Sequence, residues 1–415
     1  MALPHIAHHL AANLHMSTTR AIKRVYTYSS YLAMVPLDID TLSLSWKATL
    51  ICAVMYFIDA FFAVQYMRGQ FQFDRNKMMA FLVPKVFRTV EAFLQMVTYT
   101  IILNTHLFSN AKLKFILTQI GYVDTRLSHI HGMKISQLDD KLTAKIHAFF
   151  IFFFISSFVA MTFRHLTVTP YSAAAIFGFF LPHFQPYAIT AQFIVFLDVI
   201  SNRIDAINGY IKHLKQMRQD KNVNLSLIRG ELSTLACVHN DLCDICLLLN
   251  KYFSVQILLV VACHFLSISV AAYSFLSSLG VFFQSETVTI VQTMSLVLHT
   301  MLWVCQRFAI LILTAQATIR AQTSLELFTS NVEQHEVEFF ACGFFPIDYS
   351  MIYMIIGAAT TYWVILVQLQ SSAFTTPQGN STTHTSAKPI LTSLVTKLVS
   401  AKQNTSGVRL IFEKP

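Results

Sequence analysis

Two polar side chains, Thr361 and Gln368, interrupt the apolar stretch from Tyr349 to Leu369. They are seven residues apart, so in a helix they lie on one stripe, with Gly357 and Ile365 close to the same line. The stretch is long enough to cross the ~30 Å hydrocarbon core of a bilayer as a helix. An amide that faces hydrocarbon is unfavourable, so we expect this stripe to face protein or water.

The segment before this stretch carries two residues that favour a helix start. Pro346 costs little in the first turn of a helix, because the amide hydrogen it lacks would have no partner there. The carboxylate of Asp348 favours the same place, because it faces the positive end of the helix dipole. We therefore expect the helix to begin at about these residues.

Charged residues also occur inside other apolar stretches, at Asp59 and at Lys85, Arg88 and Glu91. Charged side chains within membrane helices usually face the interior of the bundle. Arg88 and Glu91 are three residues apart and are therefore able to pair on one helix face. They form either the polar wall of a ligand pocket or an internal structural pair, with Lys85 extended towards the membrane surface. Asp59 has no evident partner in the sequence.

A second polar group, His183, Gln185 and Tyr187, lies beside Pro182 and Pro186, where a helix would kink. These side chains either line a cavity or satisfy backbone carbonyls that the prolines leave free. With two polar residues of a later stretch, the candidate ligand-binding residues are Arg88, Glu91, His183, Tyr187, Gln292 and His299.

Cys237, His239, Cys243 and Cys246 have a spacing that resembles a zinc site. In a helix, however, the three thiols follow the apolar face, where a free cysteine behaves as a small hydrophobic residue. We therefore predict no metal site. The sequence contains no nucleophile elbow, phosphate-binding glycine loop or HExxH motif, so we predict neither an enzyme nor a cofactor.

The composition places these residues in a membrane. Of 415 residues, 54% are hydrophobic and only 12% are charged, which is too apolar for one water-soluble core. We predict an all-α membrane protein with seven transmembrane helices, at about 46–67, 78–107, 146–163, 172–200, 252–283, 288–317 and 347–370. The chain then divides into an N-terminal segment (1–45), a seven-helix domain (46–370) and a C-terminal tail (371–415).

The distribution of Lys and Arg predicts the orientation. The segments on the side of the N-terminus hold 17 of these residues, and the three loops between helices on the other side hold four. Because positive charge accumulates on the cytoplasmic side, we expect a cytosolic N-terminus and an extracellular C-terminus. The net charge of +9 then reflects membrane topology, and we predict no binding to nucleic acid.

Apolar residues recur at helical spacing on both sides of Lys221 to Asn224, over 204–217 and 232–249. We therefore expect the fourth and fifth spans to continue below the membrane as an antiparallel helical pair.

Residues 361–369 carry a resemblance to a known family. Thr361-Tyr362, then five apolar residues, then Gln368-Leu369, resemble the TYhhhhhQF ending of insect gustatory receptors. Residues 339–348 resemble the same family's approach to its last helix. Leu369 stands where gustatory receptors usually have Phe, and there the chain is similar to the odorant-receptor co-receptor.

The resemblance implies a ligand-gated, cation-permeable channel in the plasma membrane of a sensory neuron. It implies four subunits, either a homotetramer or a heteromer with other gustatory receptors, joined through a cytosolic anchor region formed by extensions of helices 4–6. It also implies a pore formed by four copies of the last helix and lined at its narrowest part by Ile365, Gln368 and Leu369, with Thr361 on the same stripe.

Sugar-sensing members of the family usually carry an acidic residue directly after the Thr-Tyr pair, and here it is Trp363. This favours a bitter or plant-derived tastant. The alternatives are a fructose-type gustatory receptor and an odorant-receptor-type channel subunit. A G-protein-coupled receptor conflicts with the charge asymmetry, and a transporter should show internal repeats that the sequence lacks.

The tail departs from the family, whose members usually end soon after the motif. Residues 371–387 hold nine Ser or Thr among seventeen, a composition that favours disorder. The tail is either a real disordered extension or an incorrectly predicted gene ending.

Overall fold

The computed structural model describes residues 20–32, 34–38, 43–71, 82–130, 135–165, 181–217, 225–284, 290–329 and 337–374. Within these ranges the chain forms helices and two short hairpins. The helices are α1 (Arg20–Tyr31), α2 (Trp46–Phe71), α3 (Leu82–Phe108), α4 (Asn110–Ser128), α5 (Ile135–His165), α6 (Leu181–Met217), α7 (Leu225–Gln284), α8 (Ile290–Thr329) and α9 (Tyr349–Phe374). The strands are β1 (Leu37–Asp38) paired with β2 (Ser43–Leu44), and β3 (Phe340–Ala341) paired with β4 (Phe345–Pro346).

The all-α class is confirmed. Each of the seven predicted spans falls on one helix, from α2 and α3 to α5, α6, α7, α8 and α9. In the described part of the chain, six helices are long and apolar enough to cross a membrane, and α9 has a shorter apolar stretch, Tyr349–Ile365. The predicted spans at 78–107, 172–200 and 288–317 begin at residues outside the described ranges.

The central element is α6, which packs against α8, α7, α1 and α5. From Phe184 to Ile204 all side chains are buried except the half-buried Ile194 and Asp198. A helix that is surrounded by its neighbours on all sides has no face exposed to solvent. This explains why apolar residues in α6 do not recur at the spacing of a single helix face.

The long helical pair expected from 204–217 and 232–249 is present, because α6 ends at Met217 and α7 begins at Leu225. The two helices pack against each other. Leu235, Leu242 and Leu249 of α7 are fully buried, at the seven-residue spacing of one helix face. The turn predicted at 221–224 lies outside the described residues.

Two helices, α1 and α4, lie in segments that the sequence analysis left without structure. In α1 the buried residues are Ala21, Ile22, Val25, Tyr26 and Ser29, a helical pattern with Lys23 and Arg24 on the other side. Burial raises the pKa of the Tyr26 phenol well above its usual value. The signal for α1 was therefore in the sequence, but it is short and amphipathic rather than long and apolar.

Candidate pore helix and candidate ligand site

A tight hairpin precedes the last helix. Strands β3 and β4 are joined by residues 342–344, and Cys342 and Gly343 both have positive φ, of 52° and 75°. The amide of Phe344 donates to the carbonyl of Ala341 at 2.9 Å, which closes a β-turn with Cys342 and Gly343 as its central residues. Glycine adopts this conformation without strain, whereas Cys342 does so with support, because its amide donates to Ser254 Oγ on α7 at 2.7 Å.

The expected helix start needs a correction. Pro346 lies in β4, paired with Phe340, and not in the first turn of the helix, because the hairpin extends the backbone through this residue. The helix begins at Tyr349. Asp348 does mark the start, because its Oδ1 accepts hydrogen bonds from the amide of Ser350 at 2.8 Å and from the Ser350 hydroxyl at 2.5 Å.

Helix α9 has one buried face and one exposed face. It packs against α7 and α8. The buried residues are Met351, Ile352, Ile355 and Ala359, at the spacing of one helix face. On the other side Gly357, Thr361, Ile365 and Gln368 are exposed. The polar stripe noted in the sequence is therefore on the face that the described helices of the subunit leave uncovered.

Some residues of the motif lie against neighbouring helices, and others lie on the exposed face. Tyr362 packs edge-on against Phe87 of α3, with ring centroids 5.1 Å apart, and Trp363 is half-buried. The Thr361 hydroxyl donates to the Gly357 carbonyl of its own helix at 2.9 Å. Ile365 is 45% exposed. The side chain of Leu369 lies outside the described residues.

A network of polar side chains joins α5, α6 and α8 inside the bundle. The hydroxyl of Tyr187 donates to Gln306 Oε1 at 3.4 Å. The Gln306 amide in turn donates to the hydroxyls of Ser156 at 2.6 Å and Ser157 at 3.3 Å. Because Tyr187, Gln306 and Ser157 are almost fully buried, the network is a polar interior within an apolar shell.

Arg307 lies next to this network, fully buried between aromatic rings. Its guanidinium carbon is 5.1 Å from the ring centre of Tyr187 and 5.0 Å from that of Trp303. These are cation–π distances. Its Nη1 is 3.1 Å from Nδ1 of His264 on α7. His299 stacks on Trp303 at 5.9 Å, and its Nδ1 lies 2.7 Å from the Ala160 carbonyl.

Glu91 belongs to a neighbouring set of contacts between α3 and α7. Its Oε1 accepts hydrogen bonds from the Ser267 hydroxyl and from Gln95 Nε2, the latter at 3.4 Å. Two turns along α3 from Glu91 and one turn along α7 from Ser267, the Thr98 hydroxyl lies 3.3 Å from Cys263 Sγ. Glu91 is therefore held by a neighbouring helix, as the sequence analysis expected for a charge inside the bundle.

Asp59, for which the sequence showed no partner, lies against Gln185. The amide nitrogen of Gln185 donates to Asp59 Oδ2 at 3.1 Å, and both residues are buried. Gln185 and Tyr187 flank Pro186, the proline inside α6. This short segment of α6 therefore contacts α2 through Gln185 and α8 through Tyr187.

Several of the predicted ligand-binding residues lie in the bundle interior, but they do not all lie at one site. Tyr187 lies beside Arg307, and His299 lies beside Trp303, which contacts Arg307 in turn, whereas Glu91 contacts α7. Arg88 is half-buried on α3. The side chains of His183 and Gln292 lie outside the described residues. Among the described residues no group of three or more potential metal ligands converges, and Cys243 Sγ lies 3.7 Å from His239 Nδ1.

The sequence pattern of the 7tm chemosensory receptor family matches residues 22–372, which is most of the chain. The chain belongs to this family. It is therefore a multi-pass membrane protein of a receptor family and not of an enzyme family. No curated protein sequence shows a significant match.

Two solved structures share the fold of this chain. The insect olfactory receptor OR5 from Machilis hrabei in complex with eugenol is 12% identical, with a TM-score of 0.55 over 86% of this chain and 99% of that chain. The structure of the same receptor described without eugenol is also 12% identical, with a TM-score of 0.57 over 84% of this chain and 97% of that chain. At this identity the likeness is one of fold.

Four residues in the polar interior of this 7tm chemosensory receptor were not predicted from the sequence: His264, Trp303, Gln306 and Arg307. Arg307 and Gln306 lie in the sixth predicted span, where a charge and an amide were a usable signal. Within this long apolar stretch they have no second charge at pairing distance, unlike Arg88 and Glu91, and they were therefore not selected as candidates.

Proposed function

We propose that the protein is a gustatory receptor that acts as a tastant-gated, non-selective cation channel. The observation that carries the proposal is the exposed stripe of α9, with Gly357, Thr361, Ile365 and Gln368 on the face that the subunit does not cover. In a membrane, an exposed amide on a spanning helix is unfavourable against lipid. Contact with water and with copies of the same helix removes that cost.

Four subunits around one axis would place four α9 helices side by side. Ile365 and Gln368 would then line the pore, together with Leu369, while Tyr362 packs against Phe87 and stays within its own subunit. A ring of glutamine amides offers carbonyl oxygens to a passing cation, and a ring of aliphatic side chains beside it closes the pore by excluding water.

The tastant would bind among the polar and aromatic residues between α5, α6 and α8. Tyr187, His299, Trp303, Gln306 and Arg307 combine aromatic surface with hydrogen-bonding groups, as small-molecule sites usually do. A bitter or plant-derived compound with an aromatic or apolar body and a few hydroxyl groups fits this chemistry. Gating then requires that such a ligand bind the open state more tightly than the closed state.

Expression of the protein alone in a cell line, with a calcium readout, tests the proposal. We expect a response to one or more members of a panel of plant alkaloids and glycosides, and none in cells without the protein. Fructose and other sugars in the panel test the sugar-receptor alternative. Volatile phenols such as eugenol, which is bound in a structure of Machilis hrabei OR5, test the odorant-receptor alternative. A protein that reaches the surface and passes current constitutively, unchanged by any compound, would contradict ligand gating.

A further inference from the structure

The contact between Asp59 and Gln185 leaves two oxygen atoms without a hydrogen-bond donor. Asp59 is fully buried and Gln185 is 2% exposed. The bond from Gln185 Nε2 to Asp59 Oδ2, at 3.1 Å, joins the amide and carboxyl groups directly. Asp59 Oδ1 and Gln185 Oε1 are both buried, and neither has a partner among the described residues.

The surroundings of Asp59 offer no described charge to balance a carboxylate. Within the described part of the chain Asp59 forms no ion pair. The titratable side chains near it are the phenol of Tyr99 and, close to Tyr99, those of Tyr56 and Cys52. These groups are neutral when protonated. An ionised carboxylate at full burial, without a cation, costs several kcal/mol, so such groups are neutralised by a proton or by a partner.

One hydrogen atom resolves both problems at once. We propose that Asp59 is a proton-binding site, in which the protonated carboxyl donates from Oδ1 to Gln185 Oε1 while Oδ2 accepts from Gln185 Nε2. The two groups then form an acid–amide pair with two parallel hydrogen bonds, and every buried polar atom of the pair has a partner. The pair fastens α2 to the proline-containing segment of α6. This inference does not depend on the channel proposal.

The position of the pair gives it a role in the bundle. Gln185 is separated by Pro186 alone from Tyr187, whose hydroxyl contacts Gln306 on α8. A helix lacks one backbone hydrogen bond at a proline, so the side chains on either side contribute more to holding the segment in place. Loss of the proton would remove one bond to α2 and place a charge in the bundle interior.

Asparagine tests the proposal, because its amide reproduces both hydrogen bonds of a protonated aspartate without a titratable group. For the purified full chain in lipid nanodiscs, we expect Asp59→Asn to leave the thermal unfolding midpoint unchanged. We expect Asp59→Ala to lower the midpoint by about 2 °C or more, because Gln185 loses its partners. An Asp59→Asn variant that fails to fold, or that loses as much stability as Asp59→Ala, would overturn the proposal.

Infrared spectroscopy provides a readout that a merely structural role would not change. The difference spectrum between the wild-type protein and Asp59→Asn should contain the carbonyl band of one protonated carboxyl group, shifted in deuterated water. Asp205→Asn is the control, because Asp205 pairs with Arg320 at 2.9 Å and should show only the loss of a carboxylate band. A carboxylate band lost in Asp59→Asn, with stability that depends on sodium, would show instead that a metal cation occupies the site.

Discussion

Arg203 on α6 binds Asp124 on α4 through two parallel hydrogen bonds, from Nε to Oδ1 at 2.9 Å and from Nη2 to Oδ2 at 3.0 Å. The side chain of Arg203 is 1% exposed and that of Asp124 is 11% exposed. A third bond, from Nη1 to the Val199 carbonyl at 3.1 Å, leaves the guanidinium well satisfied. This pair attaches α4 to the most buried helix of the bundle.

Removal of one partner from this pair should impair folding. Asp124→Ala leaves the Arg203 charge buried without its carboxylate, which typically costs roughly 3–5 kcal/mol. We expect surface expression, measured by biotinylation, to fall strongly. The control is Asp140→Ala, which removes an exposed ion pair with Arg20 worth about 1 kcal/mol or less. Equal surface expression of the two variants would contradict the role of the buried pair.

The packing of α7 against the bundle should be equally sensitive to charge. Leu235 and Leu242 are fully buried on one face of α7, so replacement of both by Asp places two carboxylates in an apolar contact. We expect loss of oligomers in native gel electrophoresis and loss of surface expression. Ser233→Asp, on the exposed side of the same helix, should change neither. Normal assembly of the double variant would show that this face is solvated.

The orientation in the membrane is a separate prediction from the charge asymmetry of 17 against four Lys and Arg residues. An epitope inserted at residue 2 should be reached by antibodies only after cells are permeabilised. The same epitope after Pro415 should be reached on intact cells. The opposite labelling pattern would invert every assignment of inner and outer ends.

The sequence was sufficient for the class of fold because the hydrophobic signal of a spanning helix is strong. Helix α2 is an example, since Trp46–Gln65 is strongly apolar on average although it contains Asp59. The sequence was insufficient for α1, whose helix is short and whose apolar face is covered only in the folded bundle. The β3–β4 hairpin was also not predicted, because Cys342-Gly343 is not one of the sequences typical of a turn with two positive φ angles.

The sequence predicted which types of residue form the candidate site, but not which residues of other helices they contact. Tyr187 and His299 were identified as polar residues in apolar stretches, but their partners lie far away along the chain. The Tyr187 hydroxyl donates to Gln306, 119 residues later, and His299 Nδ1 lies against the carbonyl of Ala160, 139 residues earlier. Partners on different helices are set by helix packing, which periodicity within one helix does not encode. The same reason explains why Gln185 was not recognised as the partner of Asp59.

The ligand site gives a further prediction at Tyr187. Tyr187→Phe keeps the ring that packs beside Arg307 and removes the hydroxyl that donates to Gln306. A neutral hydrogen bond contributes about 0.5–1.5 kcal/mol, so we expect a shift of roughly two- to tenfold in the tastant concentration for half-maximal response. Surface expression should remain unchanged. Tyr210 lies elsewhere on α6, and its hydroxyl donates to Glu231 on α7. Tyr210→Phe removes this bond and should leave the response unchanged. Equal shifts in both variants would place the ligand elsewhere.

The accessibility of α9 to a thiol reagent tests the central claim most directly. Single cysteines at positions 365, 368 and 363 are compared in the assembled channel, with and without tastant, by the rate at which a water-soluble methanethiosulfonate changes the current. If α9 lines the pore, cysteine at 365 or 368 should react faster with tastant bound, whereas cysteine in place of the half-buried Trp363 should not. Equal rates at all three positions, independent of tastant, would contradict the pore assignment and leave Gln368 as a contact between helices.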